Sequence, residues 1–220
     1  MTRLWHGALA VLVLGALLGQ TEGVIRTGTG LVDLFSYFTI QSNILVMVTA
    51  ALIAVRPDRH GRAWGILRLA ALVGITVTGV VYAVAIGPYV SLAGAAWWYD
   101  KIFHYVVPGM AVLGHVALRP RTGFERRDLV FIAWPIIWLA YTMVRGAQGS
   151  PSFAAPQDRL SRYPYDFLDV DVHGAASVAV AAVVVTVLML AVASVYVRAG
   201  RRDRRPVSAG RAAPGPPPVP

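Results

Sequence analysis

Several uninterrupted apolar stretches in this chain approach or exceed the ~20 residues that carry a helix across ~30 Å of hydrocarbon. That length constrains the fold before any motif is considered. Of the 220 residues, 56% are hydrophobic and only 14% are charged, the balance of an integral membrane protein. Six spans are expected, at about 4–20, 31–55, 64–86, 97–118, 128–144 and 172–197, and they take up nearly all the ordered length. The expected fold is therefore all-α, a polytopic bundle of six transmembrane helices forming one domain over 1–197, with no separate soluble domain. Residues 198–220, basic and then Pro-rich, read as a disordered cytoplasmic tail.

The boundaries rest on local chemistry. The rival reading of the first stretch is a cleaved signal peptide, given Arg3 and a short apolar core. Leu18-Gly19-Gln20-Thr21 is a poor cleavage site, so the stretch is taken as a retained helix followed by a Gly/Thr loop at 21–30. Arg56-Pro57 stops the second span and Gly87-Pro88 the third. Trp97-Trp98-Tyr99 is an aromatic cluster of the kind found at a membrane interface. Pro135 predicts a kink within the fifth span, and Pro108 one in the fourth. Residues 145–171 form the longest loop, and a loop of that length without its own element reads as a lid, a binding segment or disordered.

The net charge of +9 does not point to nucleic acid, because the basic residues gather in alternate loops rather than on one face. With the N-terminus inside, the outside keeps only Arg26, Lys101, Arg145, Arg159 and Arg162 of the 20 basic residues. That asymmetry predicts cytoplasmic termini at both ends of a multi-pass protein of the cell membrane. The chain has no cysteine, so disulfides and thiolate metal sites are excluded.

The chemistry centres on Tyr37-Phe38-Thr39-Ile40-Gln41-Ser42-Asn43, a polar run inside an apolar span. Polar groups at such depth are costly unless they find partners, and are retained for packing or for chemistry. Helical spacing puts Ser36, Thr39 and Asn43 on one face, with Ser42 adjacent. Thr39 and His104 lie at one level by their distances along their spans, and Asp169, Asp171 and His173 at the mouth of the last span approach the same level. Thr39 would be a nucleophile and His104 its general base. Gln41, Ser42 or Asn43 would bind substrate or donate to an oxyanion, and Asp169 or Asp171 would orient the imidazole.

Blander readings stand beside these. A Thr in a membrane helix commonly bonds its own i−4 carbonyl, and Asn or Gln commonly joins helices. Asp100 and Lys101 are read as a pair at the interface; His6, His60 and His115 as interfacial or loop residues. A metal site built from His104, His173 and Asp169 or Asp171 is disfavoured because no short ligand motif is present. No Gly-rich phosphate loop or dinucleotide fingerprint appears, so no cofactor is expected.

Phe38-Thr39-Ile40-Gln41-Ser42-Asn43-Ile44-Leu45, His104-x-x-x-Pro108 and Tyr163-Pro164-Tyr165-Asp166-Phe167-Leu168 resemble the landmarks of a group of small bacterial six-helix membrane proteins. That group is more distantly similar to the androgen-induced family of membrane proteins, which includes the androgen-dependent TFPI-regulating protein. The animal members are threonine hydrolases that split fatty acid esters of hydroxy fatty acids with an intramembrane Thr and His. The resemblance implies that Thr39 and His104 fill those roles. The spacing from His104 to Pro108 departs slightly from the animal pattern.

The expected function is thus an intramembrane hydrolase of fatty acyl esters, with membrane lipids as partners and protein partners unknown. The alternative is a non-enzymatic membrane protein that binds or transports a small molecule on the same polar face.

Overall fold

The structure, a computed structural model, describes residues 1–28, 30–149, 151–155 and 159–202. The expected tail falls largely on 203–220, outside the described residues.

The helices are α1 (Thr2–Thr27), α2 (Leu31–Ser36), α3 (Phe38–Val55), α4 (Arg62–Val81), α5 (Gly94–Lys101), α6 (Val107–Ala117), α7 (Ala133–Ala147) and α8 (Val170–Arg202). A π turn, Tyr82–Ile86, and a 3-10 turn, Gly87–Tyr89, extend α4. A second π turn, Ile102–Val106, joins α5 to α6 without a break, and a 3-10 segment, Arg126–Ile132, leads into α7. Among the described residues, five segments are long and apolar enough to cross a membrane: Thr2–Thr27, Phe38–Val55, Arg62–Tyr89, Arg126–Ala147 and Val170–Gly200. The expected span at 97–118 is helical but is not one of the five. Asp100, Lys101, His104 and His115 dilute its apolar content, and it is held by packing against other helices.

Several boundaries differ from the sequence reading. α1 continues through the expected Gly/Thr loop, where Glu22 and Arg26 pair at 2.6 Å across one turn and Thr27 bonds back to Gly23; it ends at Gly28 in a left-handed cap with φ 71°. α8 likewise runs past 197 to Arg202. Pro135 sits near the start of α7, where a 3-10 segment becomes α-helix, because Pro is tolerated in a first turn.

The most consequential difference lies in the second expected span. Tyr37 is extended, with φ −66° and ψ 131°, and splits 31–55 into α2 and α3. Ser36 therefore does not share a face with Thr39 and Asn43. It turns instead to Tyr141 and Arg145, at 3.0 and 2.9 Å, where Arg145 also meets Asp33 at 2.5 Å. Thr39 comes to stand in the first turn of α3 rather than in the middle of a helix.

α4 runs through the core. Leu69, Leu72 and Ile75 are fully buried against Leu9 and Val13 of α1, Val46 of α3, and Val107 and Ala111 of α6. The periphery is apolar: Val11 and Leu18 on α1, and Val180, Val183 and Val187 on α8, are all exposed, the distribution of a bundle whose outer surface meets hydrocarbon.

The loop between α7 and α8 is built rather than loose. Strands β1 (Phe153–Ala155) and β2 (Arg159–Ser161) pair antiparallel with Phe153 opposite Ser161. Phe153, Tyr163 and Leu168 are buried, and a 3-10 turn, Asp166–Leu168, precedes α8. The sequence expectation of a segment without its own elements is corrected here. Its buried aromatic side chains supply the apolar contacts that a free loop lacks.

The two described ends of the chain meet at one end of the bundle. Thr2 Oγ1 donates to the Arg119 carbonyl at 2.6 Å, and the backbone at Gly200 packs on Phe124. The hairpin, Tyr37 and Asp100 gather at the other.

Candidate active site

At that second end, three segments bring one reactive constellation together. α3 supplies Thr39 and the α5–α6 helix supplies His104 and Asp100. The loop before α8 supplies Tyr165.

His104 lies at the centre of a π turn, where one extra residue widens the helix; such insertions recur at functional sites. A second π turn, at the end of α4, puts Tyr82 face to face with it, ring centroids 3.7 Å apart and planes 14° from parallel. Gly79 makes this approach possible, since a Cβ there would stand 3.1 Å from Pro108 and 3.3 Å from the His104 carbonyl.

Thr39 Oγ1 is 3.3 Å from His104 Nε2. On its other side His104 Nδ1 lies 2.9 Å from the Asp100 carbonyl and 3.1 Å from the Asp100 carboxylate. Both are acceptors, so Nδ1 carries the proton and Nε2 is left as the acceptor for the Thr39 hydroxyl. Asp100 is buried and held in turn by the Tyr82 hydroxyl, which donates at 2.7 Å, and by Lys101 at 3.0 Å. The Lys101 ammonium also lies over the rings of Tyr82, Trp97 and Tyr105 at 5.3 to 5.7 Å.

The sequence reading assigned the imidazole's partner to Asp169 or Asp171, and the structure corrects this. Asp169 accepts from Ser161 at 2.7 Å and Arg159 at 2.9 Å, and caps the start of α8 through the Asp171 N–H. Asp171 pairs with Arg162, and His173 meets Asp166 at 2.8 Å. None of the three reaches His104, because the loop folds its own charges against its own hairpin. Asp100 precedes His104 by four residues on a helix, and that spacing was the available signal. Among the described residues, no three His, Asp or Glu side chains converge as metal ligands.

The polar neighbours of Thr39 along α3 are engaged with backbone and other side chains. Ser42 Oγ donates to the Thr39 carbonyl at 3.0 Å and meets Thr78 at the same distance. Asn43 Nδ2 donates to the Thr39 carbonyl at 2.8 Å and to the Phe103 carbonyl at 3.4 Å. It thereby ties the first turn of α3 to the segment bearing His104. Gln41 is held between the Phe35 carbonyl and the Trp134 indole. Ser42 and Asn43 thus hold the Thr39 carbonyl, Gln41 ties α3 to Phe35 and Trp134, and none of the three is bonded to the Thr39 hydroxyl.

In the sequence Tyr165 is one residue of the Tyr163–Leu168 motif, with no role of its own. Its hydroxyl accepts the Thr39 N–H at 3.1 Å and lies 3.2 Å from Thr39 Oγ1. The Thr39 N–H belongs to the first turn of α3, where helical N–H groups have no partner within the helix and the dipole favours negative charge. The Tyr165 oxygen thus occupies an anion-binding position beside the hydroxyl. Burial raises the phenol's pKa, and hydrogen bonds from the Thr39 and Phe38 segment offset only part of that, so the phenol stays protonated.

Two cavities meet at Thr39. One, of about 300 Å³, is bounded by Tyr37, Thr39, Asp100, His104 and Tyr165. The other, of about 90 Å³, is walled by Phe38, Val81, Trp138, Leu139 and Met189 and is almost wholly apolar. Comparison with protein-family models, with curated proteins and with solved structures finds no match for this chain.

Proposed function

We propose that this chain is a six-span protein of the cell membrane, with both termini cytoplasmic, and that it hydrolyses fatty acyl esters at Thr39. The single observation that carries the reading is the relay from Thr39 Oγ1 through His104 Nε2 and Nδ1 to the buried Asp100 carboxylate, with contacts of 3.3 and 3.1 Å. A hydroxyl is a weak nucleophile until a base takes its proton, and a base is effective when a third group fixes its tautomer.

On this reading Thr39 Oγ1 attacks the ester carbonyl as its proton passes to His104 Nε2. The tetrahedral intermediate collapses, the ester C–O bond breaks, and His104 returns the proton to the departing alkoxide. Water then gives a proton to His104 and adds to the acyl-threonine; the Oγ1–acyl bond breaks, His104 returns the proton to Thr39 Oγ1, and the fatty acid leaves. The buried, charged Asp100 stabilises the imidazolium formed twice in the cycle. The apolar cavity, at about 90 Å³, receives the acyl carbons next to the ester, and the larger, more polar one the alcohol portion. The carbonyl oxygen takes the position now filled by the Tyr165 hydroxyl, at the N-terminus of α3.

The resemblance to the membrane threonine hydrolases supports the same assignment, with Asp100 added as the orienting carboxylate. Labelling of the purified, detergent-solubilised protein with a fluorophosphonate tests it. The expected outcome is a covalent adduct on Thr39, absent from Thr39→Ala and His104→Ala. A folded wild type that never labels favours the binding or transport alternative, in which the same polar groups hold a ligand without attacking it.

A further inference from the structure

The apolar cavity that reaches Thr39 is not closed. Its walls come from α4, from α7 with the 3-10 segment before it, from the loop before α8, and from α8 itself. Ile136 of α7 lines it and is 54% exposed, while Ala182, Val185 and Thr186 line it from α8 and are half-buried. Next to them on α8, Val183 and Val187 belong to the exposed apolar periphery. The cavity is thus a cleft that opens between α7 and α8 onto the surface that meets hydrocarbon.

The lining side chains that carry a polar hydrogen already have partners. Thr39 and Tyr165 meet each other at 3.2 Å, Thr78 meets Ser42 at 3.0 Å, and Tyr82 donates to Asp100 at 2.7 Å. Trp138 Nε1 donates to the Ser36 carbonyl and Thr186 Oγ1 to the Ala182 carbonyl, both at 2.8 Å. Beyond Thr39 and Tyr165 the wall therefore suits an alkyl chain and penalises a polar one.

Size and direction narrow the occupant further. At about 90 Å³ the cleft is well below the ~300–1,000 Å³ of a site that encloses a small molecule, so a long acyl chain cannot lie wholly inside it. Its positions on α8 run from Ala182 to Met189, a rise of ~10 Å along the helix. That is also the direction in which the acyl chains of a bilayer lie.

We propose that the α7–α8 cleft is a lateral portal for the acyl chain of the ester, a role that rests on the hydrolase reading of Thr39. The chain enters sideways from the bilayer past Ile136 and Ala182, leaves its distal carbons in hydrocarbon and brings its carbonyl to Thr39. A chain that leaves lipid for an apolar cleft gains no hydrophobic free energy, because lipid tails are as apolar as the wall. The cleft therefore selects by shape. Ala182 sets its width, and a larger side chain there fills the space the chain needs.

The test uses the full chain in phosphatidylcholine vesicles and two p-nitrophenyl esters, the palmitate and the acetate. Ala182→Phe is expected to lower kcat/KM for the palmitate at least about tenfold and to leave the acetate within about twofold. Val183→Phe makes the same change one residue on, at a position that is 62% exposed, and should leave both esters within about twofold. Should Ala182→Phe melt too low to assay, Ile136→Trp at the exposed rim must give the same selective loss. An unchanged palmitate rate, or an equal loss on both esters, overturns the portal. If the wild type cleaves neither ester, the reading of Thr39 fails, and photo-crosslinking decides the portal separately. In Thr39→Ala, a p-nitrophenyl palmitate carrying a mid-chain diazirine is expected to mark residues 132–139 and 182–189, and to lose that preference when Ala182→Phe is added. Marking spread evenly over the exposed apolar helices overturns the portal whatever the activity.

Discussion

Asp100 stands one helical turn before His104, and its Oδ1 lies 3.1 Å from the imidazole Nδ1. This contact selects the tautomer in which Nε2 accepts the Thr39 proton. Asp100→Asn presents an amide that can donate as well as accept, so the opposite tautomer becomes available and the base is lost. Fluorophosphonate labelling of Thr39 is expected to slow by about a thousandfold or more, with the fold retained. Unchanged labelling would show that the backbone carbonyl of Asp100 alone orients the ring.

Thr39→Ala removes one hydroxyl from a site where Tyr165 and His104 each keep another partner. The expected cost is about 1 kcal/mol in stability, with complete loss of labelling and ester turnover. A large fall in melting temperature instead would assign Thr39 a packing role.

Tyr165→Phe empties the position at the start of α3 that the phenol oxygen now fills. If that position receives the substrate's carbonyl oxygen, labelling of Thr39 becomes faster than in wild type. A slower reaction would mean that the phenol itself donates to the oxyanion and has no need to leave.

Gly79 is where α4 comes closest to the helix carrying His104, with Pro108 and the His104 carbonyl within 3.3 Å of a hypothetical Cβ. Gly79→Leu must push these segments apart. The expected cost is about 1–3 kcal/mol by overpacking, together with loss of the Tyr82–His104 stack and slower labelling. Gly79→Ala is expected to show a smaller effect in the same direction on both measurements.

Burial works to raise the pKa of Asp169. Hydrogen bonds from Ser161, Arg159 and the Asp171 N–H more than offset it and hold the carboxyl below the usual range. A depressed folded pKa contributes stability that is present above the unfolded value of about 3.9 and lost as pH falls through the folded one. Protection factors of residues 159–171, corrected for the intrinsic exchange rate, should therefore stay high at neutral pH and fall as pH drops below about 4, and Asp169→Asn should remove that dependence. Protection that is flat between about pH 6 and 3 would contradict this account.

Thr39 and His104 stood out because polar groups are rare and costly in apolar spans, and the structure puts their side chains in contact. Asp100 carried a signal in its i−4 spacing, but its neighbour Lys101 offered an equally good partner, and both contacts exist. Asp169 and Asp171 lay at the expected depth, yet depth along a span says nothing about which way a loop folds. The break at Tyr37 left no signal either, since neither Pro nor Gly marks it.

Length and composition by themselves determined a mostly helical chain with several segments able to cross a bilayer, because hydrocarbon leaves the backbone few other ways to satisfy its polar groups. They also singled out the polar run that contains Thr39. Which groups surround its hydroxyl was decided only by the tertiary structure. Tyr165 reaches the hydroxyl itself, and Tyr82 and Asp100 reach its base His104, from three segments distant in sequence, through two π turns, an extended residue and a folded loop whose geometry depends on packing rather than on local preference.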